Sequence, residues 1–298
     1  MKPGIYSEIP MQAYLDEQAF SSGLAQTLLD RSPLHAWTES QWNPDRVRDD
    51  NGTADIGTFA HACLLEGGTS SLVVVDAPDW RTKAAQQARD DARAAGKLPI
   101  LERKVSEVWT MVKAAQAFIA SSELVGLFSA GEAETTIIFD LDGVRCKARP
   151  DWLSDDRKIC LSYKTSPGSA APDSWIRTQL PGYDTGIVLY EDAVNSIAAP
   201  DGGCRVVTLV QEQKPPYSCS LIGLAPAWAA LAESKLALAL ATWKGCLEDG
   251  KWPAYPTMIA WAEPRAWMLA EAEERAQERG DTDADGIPFN VADVFKGD

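Results

Sequence analysis

The hydrophobic pattern has three regimes. Over residues 1–66 apolar positions recur at helical spacing: "SSGLAQTLLDRSPLHAW" carries an N-cap serine and stops at Pro33. "ADIGTFAHACLLEG" is apolar almost all round, which predicts a buried helix ending at Gly67. The polar "QWNPDRVRDDNGT" between them reads as a loop. After the β-branched run "SLVVVDAPDW", residues 81–95 are alanine-rich and helical, and "SEVWTMVKAAQAFIAS" continues as an amphipathic helix.

Near residue 132 the period changes from about 3.6 to 2. "AETTIIFDLDGVRCKARPDWL" is two alternating runs joined by Asp142-Gly143, a type I′ hairpin signal. "ICLSYKT" follows as a strand with Cys160, Ser162 and Lys164 on one face and Ile159, Leu161 and Tyr163 on the other. "PDSWIRTQLPGYDTGIVLYEDAV" is helical in its second part, with a break at Pro181-Gly182. Two further strands flank a Pro-Pro turn, and "PAWAALAESKLALALATWKGCLEDG" is a long helix closed by Gly250. The pattern predicts an α/β fold, a mixed central sheet flanked by helices, with helical N-terminal and C-terminal additions. One domain is expected over residues 1–280, its core at about 131–225. The last 36 residues hold ten acids against four bases, so 281–298 reads as an acidic tail and a candidate for disorder.

Composition narrows the chemistry. The 298 residues are 45% hydrophobic, enough for a substantial core. No apolar run reaches the about 18 residues of a membrane span, and "MKPGIYSEIP" lacks a signal-peptide core, so a cytoplasmic protein without membrane contact is expected. The formal charge of −15 argues against a general nucleic-acid coat, though not against a local basic channel or a metal-bridged phosphate. Six cysteines form no CxxC pair and have only His35 and His61 as histidine companions, which excludes a zinc ribbon and favours reduced, buried thiols. The chain has no P-loop, no G-x-G-x-x-G and no nucleophile elbow. "DTDADG" at 281–286 opens like an EF-hand loop, but Ala292 stands where the bidentate glutamate belongs and Pro288 opposes the continuation.

The hairpin and the strand after it carry the strongest candidate. Glu134 heads the first run, Asp151 ends the second within "RPDW", and Lys164 ends the third. If the three strands are neighbours, their polar ends converge on one rim. Phosphodiester hydrolysis needs that set: carboxylates to hold Mg²⁺ or Mn²⁺, and a lysine to stabilise charge developing on the phosphate. Solvated strand ends are the plain alternative.

"RPDW" followed by a strand ending in Lys164-Thr165 resembles the PD-(D/E)XK nuclease superfamily. More closely, the chain resembles the phage and prophage exonuclease VIII (RecE-type) group. That likeness runs through "GIYSEIPMQAYL…FSSGLAQTLLDRSP", "IGTFAHACLLEG", the glutamate and aspartate strands, "YKTSPGSAAPDSWIRTQLPGYDTGIVLYEDAV" and "GKWPAYP". It implies a metal-dependent exodeoxyribonuclease acting 5′→3′ from double-stranded DNA ends in phage recombination. It also implies a homo-oligomeric ring and a single-strand annealing protein as partner. Residue by residue, it makes Glu134, Asp151 and Lys164 catalytic and adds His61 beside the metal, where apolar surroundings alone would read as a packed core histidine.

Two positions depart from that pattern. The family's acid two residues before the lysine, a metal ligand, is Ser162, whose hydroxyl is a poor Mg²⁺ ligand but could hold a metal-bound water. A glutamine often found within Y-x-x-Q-x-x-x-Y is Gly186, between Tyr183 and Tyr190. Asp184 or Glu191 is a candidate replacement carboxylate. A catalytically degenerate homologue that binds DNA ends or a protein partner without cutting therefore stands beside the active enzyme, as does a shared scaffold without shared function. Arg81, Lys83, Arg89 and Arg93 form a candidate DNA-facing segment, with a solvated helix as the alternative.

Overall fold

The computed structural model describes residues 1–46, 56–65 and 72–278, with side chains described to residue 275. Strands are β1 (Gly4–Tyr6), β2 (Leu72–Val75), β3 (Leu98–Leu101), β4 (Gly131–Ala133), β5 (Thr136–Leu141), β6 (Val144–Ala148), β7 (Trp152–Ser154), β8 (Ile159–Ser166), β9 (Arg205–Glu212) and β10 (Cys219–Ile222). Helices are α1 (Met11–Asp16), α2 (Ser22–Asp30), α3 (Pro33–Glu39), α4 (Ile56–Leu65), α5 (Lys83–Ala94), α6 (Glu102–Ala120), α7 (Pro172–Thr178), α8 (Asp184–Ile197), α9 (Pro226–Asp249) and α10 (Ala266–Glu278). The fold is mixed α/β as the periodicity predicts. Gly67, the predicted stop of α4, the 281–286 motif and the tail lie outside the described residues.

The strands do not form one sheet. A five-stranded sheet has the order β10-β9-β8-β7-β4, a three-stranded sheet the order β1-β5-β6, and β2 pairs with β3. Only β8–β9 and β2–β3 are parallel among these pairs. The hairpin is as predicted: Asp142 and Gly143 both have positive φ, 50° and 76°, which a type I′ turn requires. The helix α7 and strand β3 were not legible from pattern alone; each is short, and β3 contains Pro99.

Alternation along β8 separates two cores. Cys160 packs with α2, α8 and α9, around the fully buried Phe20, Phe139 and Trp243. Leu161 and Tyr163 face the other way, against α4 and α6, with Met111 and Val112. Both layers bury large apolar side chains, each worth about 1.5–3 kcal/mol on removal from water. The sheet thus holds an apolar layer on each face and leaves its strand ends free for chemistry.

By compactness the chain divides into Met1–Tyr255 and Pro256–Asp298. The boundary precedes residue 280, where the polarity of the tail would place it. In the first unit, Gly250 caps α9 with φ 64° and the following turn is pinned on α3. Trp252 stacks on Trp37 with centroids 4.4 Å apart, and Leu34 N–H donates to Pro253 O. The described part of the second unit contains α10 and the exposed Met258, Ile259, Trp261 and Trp267.

Candidate metal centre

Glu134 and Asp151 stand where the chain passes between sheets. β4 belongs to the five-stranded sheet and β5 to the three-stranded one, so Glu134 sits in the crossing, with φ 53°. The chain returns between β6 and β7, which places Asp151 in the second crossing. Glu134 N–H donates to Asp151 O at 3.1 Å and ties the two crossings together. The three expected strands are therefore not neighbours on one rim; two crossings and the end of β8 assemble the group instead.

His61 reaches the pair from α4. Its Nε2 lies 3.3 Å from Asp151 Oδ1 and 3.7 Å from Glu134 Oε1. One donor atom from each of the three lies within 4.8 Å of the others, forming a mixed nitrogen–oxygen set. Lys164 Nζ lies 3.8 Å from Asp151 Oδ2, and Tyr163 N–H donates to the same carboxylate. His61, Glu134, Asp151 and Lys164 are thus brought together.

The electrostatics follow from this packing. Burial would raise the Asp151 pKa, but Lys164, His61 and the Tyr163 N–H together outweigh it and hold the carboxyl below its ordinary range. For His61 burial favours the neutral ring, while the Asp151 hydrogen bond and the Asp151 and Glu134 charges prevail and raise its pKa. A cation is favoured in this site, as a proton on His61 or as a metal ion in its place.

Arg149 is the residue that pattern reading passed over, although it stands within the quoted "RPDW". Its Nε donates to Glu134 Oε2 at 2.7 Å, and its Nη1 donates to Ile9 O and Thr136 Oγ1, each at 2.9 Å. One carboxylate oxygen is fixed by the guanidinium and the other is turned toward His61. Tyr163 is held in turn: its hydroxyl donates to Gln211, whose amide donates to Met111 O and Tyr217 O.

Ser162 enters the site only through a neighbouring cavity of about 150 Å³, which it lines with Lys164, Ser22, Gln26, Tyr183 and Thr208. Thr208, its partner across β9, is buried with an Oγ1 that has no hydrogen-bond partner. The replacement carboxylates do not arrive. Asp184 is fully buried against Trp228 Nε1 at 3.1 Å and Lys235 Nζ at 2.7 Å, fastening α8 to α9. Glu191 accepts from Val206 N–H and lies near Arg205, at the opposite end of β9 from Val210, the partner of Lys164.

Gly186 also has a local cause. A Cβ there would stand 3.1 Å from Ser22 Cβ, so a side chain at this position would press on α2 where it approaches α8. The basic segment is elsewhere: α5 packs on β2 and β3, Arg81 and Arg89 face Asp79 and Asp90, and neither these nor Lys83 and Arg93 line the site cavity.

A crossing between sheets that carries an acid, RPD, and a strand ending in lysine is matched over residues 27–261 by the family described as a PDDEXK-like domain of unknown function. The chain belongs to that family, DUF3799. The DUF3799 match covers His61, Glu134, Arg149, Asp151, Ser162 and Lys164, while Phe20, Leu24 and Ala25 of the first core precede it. A candidate exonuclease from Eubacterium rectale has a similar fold, with TM-score 0.51 and 12% identity over 90% of this chain and 99% of that one. An alkaline exonuclease from Laribacter hongkongensis, LHK-Exo, aligns at 15% identity over 73% of this chain and 98% of that one, with TM-score 0.27. No curated protein matches the chain in sequence. Among the described residues no helix is long and apolar enough to cross a membrane.

Proposed function

We propose that this DUF3799 protein is a metal-dependent deoxyribonuclease acting on double-stranded DNA ends, with His61, Glu134 and Asp151 holding Mg²⁺ or Mn²⁺. The observation that carries this is the convergence of one imidazole nitrogen and two carboxylate oxygens within 4.8 Å, with the Lys164 ammonium beside them. The donor set fits such an ion: two hard oxygen ligands, with water and substrate phosphate completing the shell. When bound, the ion polarises the phosphate and lowers the pKa of an attached water. Arg149 orients Glu134, the Tyr163 N–H orients Asp151, and the buried Gln211 network keeps Tyr163 in place. Lys164 supplies positive charge where the phosphate oxygens become more negative, a role that a preformed ammonium in a half-buried cleft performs without reorganisation. Ser162 hydrogen-bonds a water rather than supplying a carboxylate.

The exonuclease VIII reading, 5′→3′ polarity, a ring assembly, an annealing partner and phage origin rest on the sequence resemblance alone, and a cytoplasmic setting is an expectation from composition. Arg81, Lys83, Arg89 and Arg93 are the segment proposed to meet DNA outside the site.

A second reading is a DNA-end binder that does not cut, and one observation favours it. Ser162 leaves the site one carboxylate short, while Asp184 and Glu191 are both engaged elsewhere. Digestion of 5′-phosphorylated linear duplex in Mn²⁺ and Mg²⁺ decides between them. The proposal expects slow cleavage in wild type, loss in Lys164→Ala, and an increase of about a thousandfold in Ser162→Asp, since a missing ligand costs about 4 kcal/mol of transition-state stabilisation. Retained duplex binding with no cleavage in either metal would leave the binder.

A further inference from the structure

The two faces of β6 differ sharply. Val144, Cys146 and Ala148 enter the apolar core, so Arg145, Lys147 and, just past the strand, Arg149 share the other face. A basic row of this kind ordinarily stands in solvent, yet Lys147 is only 2% exposed. What covers it is the N-terminal segment that opens with "GIYSEIPMQAYL", a stretch to which the metal centre described above gives no role.

Lys147 Nζ donates to Tyr14 O at 2.9 Å and Glu17 O at 2.8 Å, and reaches Leu15 O at 3.4 Å. A buried ammonium needs such partners, and these seat the end of α1 on β6. The Tyr14 ring then lies across both cations, its centroid 4.9 Å from Lys147 Nζ and 5.5 Å from Arg149 Cζ. Arg149 Nη1 is drawn away to Ile9 O, two residues before α1. A guanidinium without such restraints closes on a carboxylate through two parallel bonds. Arg149 instead makes one bond to Glu134, from Nε to Oε2, and Oε1 stays turned toward His61.

We propose that Tyr14 is a positioning residue for the metal centre, acting through Arg149; this rests on the metal reading given above. The ring fixes the guanidinium in the orientation that leaves Glu134 Oε1 uncovered, and Lys147 holds Tyr14 in place by its backbone. Without the ring, Arg149 turns until two of its N–H groups grip Glu134, and the oxygen meant for the ion is taken.

Two readouts on the full chain test this. One is Mn²⁺ affinity by titration. The other is the Arg149 Nε–H resonance of metal-free protein labelled with ¹⁵N-arginine, assigned by its loss in Arg149→Lys. Tyr14→Leu should weaken Mn²⁺ binding about tenfold and shift the resonance. Tyr14→Phe keeps the ring face and should stay within about twofold of wild type. Met11→Ala, at an exposed position of the same helix, controls for loss of helix stability and should change neither readout. Thermal melts check folding; if Tyr14→Leu does not fold, Tyr14→Met, which fills similar space without a ring, takes its place. In a wild type that binds Mn²⁺, an unchanged affinity or an unshifted resonance in Tyr14→Leu would overturn the proposal. Equal effects of Tyr14→Phe or Met11→Ala would overturn it too. A wild type that binds no Mn²⁺ would overturn the metal reading; a shifted resonance would then still make Tyr14 the residue that orients Arg149, and an unshifted one would remove that as well.

Discussion

At the scale of single residues, the proposed metal site sets a proton and a metal ion in competition for the same pocket. The acids around His61 favour its protonated form, and a ligating imidazole must be neutral. Metal affinity is therefore expected to fall as pH drops through the raised His61 pKa, with proton release on metal binding. Calorimetry in two buffers of different ionisation enthalpy measures that release; a pH-independent affinity would show that His61 is not a ligand. Arg149 makes a separate prediction. Arg149→Lys keeps the charge but loses the fork that fixes Glu134, so Mn²⁺ affinity should fall about tenfold, and the melting temperature should fall too because Ile9 O and Thr136 Oγ1 lose their donor. Much of this level was legible in the sequence: Glu134, Asp151 and Lys164 stood at strand ends, and the resemblance supplied His61. Arg149 was hidden because an arginine beside an acid in a loop looks like any surface pair until its three acceptors are seen. Asp184 and Glu191 were misleading for the converse reason, since helix residues near a site in sequence point wherever their own partners lie.

At the scale of elements, α8 is fixed by what crowds it. Gly186 lets α2 approach α8 closely, since a Cβ at this position would stand 3.1 Å from Ser22 Cβ. Asp192, on the same helix, has its pKa raised to about 6 by burial and by the charges of Glu233, Glu191 and Asp142. A carboxyl whose folded pKa lies above its unfolded value stabilises the fold at acid pH and loses that contribution as pH rises through the folded value. Asp192→Asn should accordingly stabilise the protein at pH 8 by about 1 kcal/mol, solvent screening included, and change little near pH 4. Equal effects at both pH values would mean that the cluster does not control the titration. The helices and the hairpin were readable because period and turn chemistry are local. The division of strands between two sheets was not, because alternation reports which face a side chain takes and never which strand lies alongside.

At the scale of the whole molecule, the family match, the two-layer packing around β8 and the crossing of the chain between sheets account for why distant segments meet at one point. His61 and Lys164 come from opposite sides of that packing, α4 and the end of β8, and the crossings deliver the acids between them. The net charge of −15 has a consequence for the proposed nuclease: the molecule as a whole repels DNA, so association with duplex should improve with divalent ions. His61, Glu134 and Asp151 are proposed to form one divalent-metal site. Titration of wild type with Mn²⁺, followed by electron paramagnetic resonance of the free ion, tests it most directly. One bound ion per chain, lost in Asp151→Asn and in His61→Ala variants that retain their thermal transition, is the predicted result. No binding at millimolar Mn²⁺, or binding indifferent to both substitutions, would contradict it.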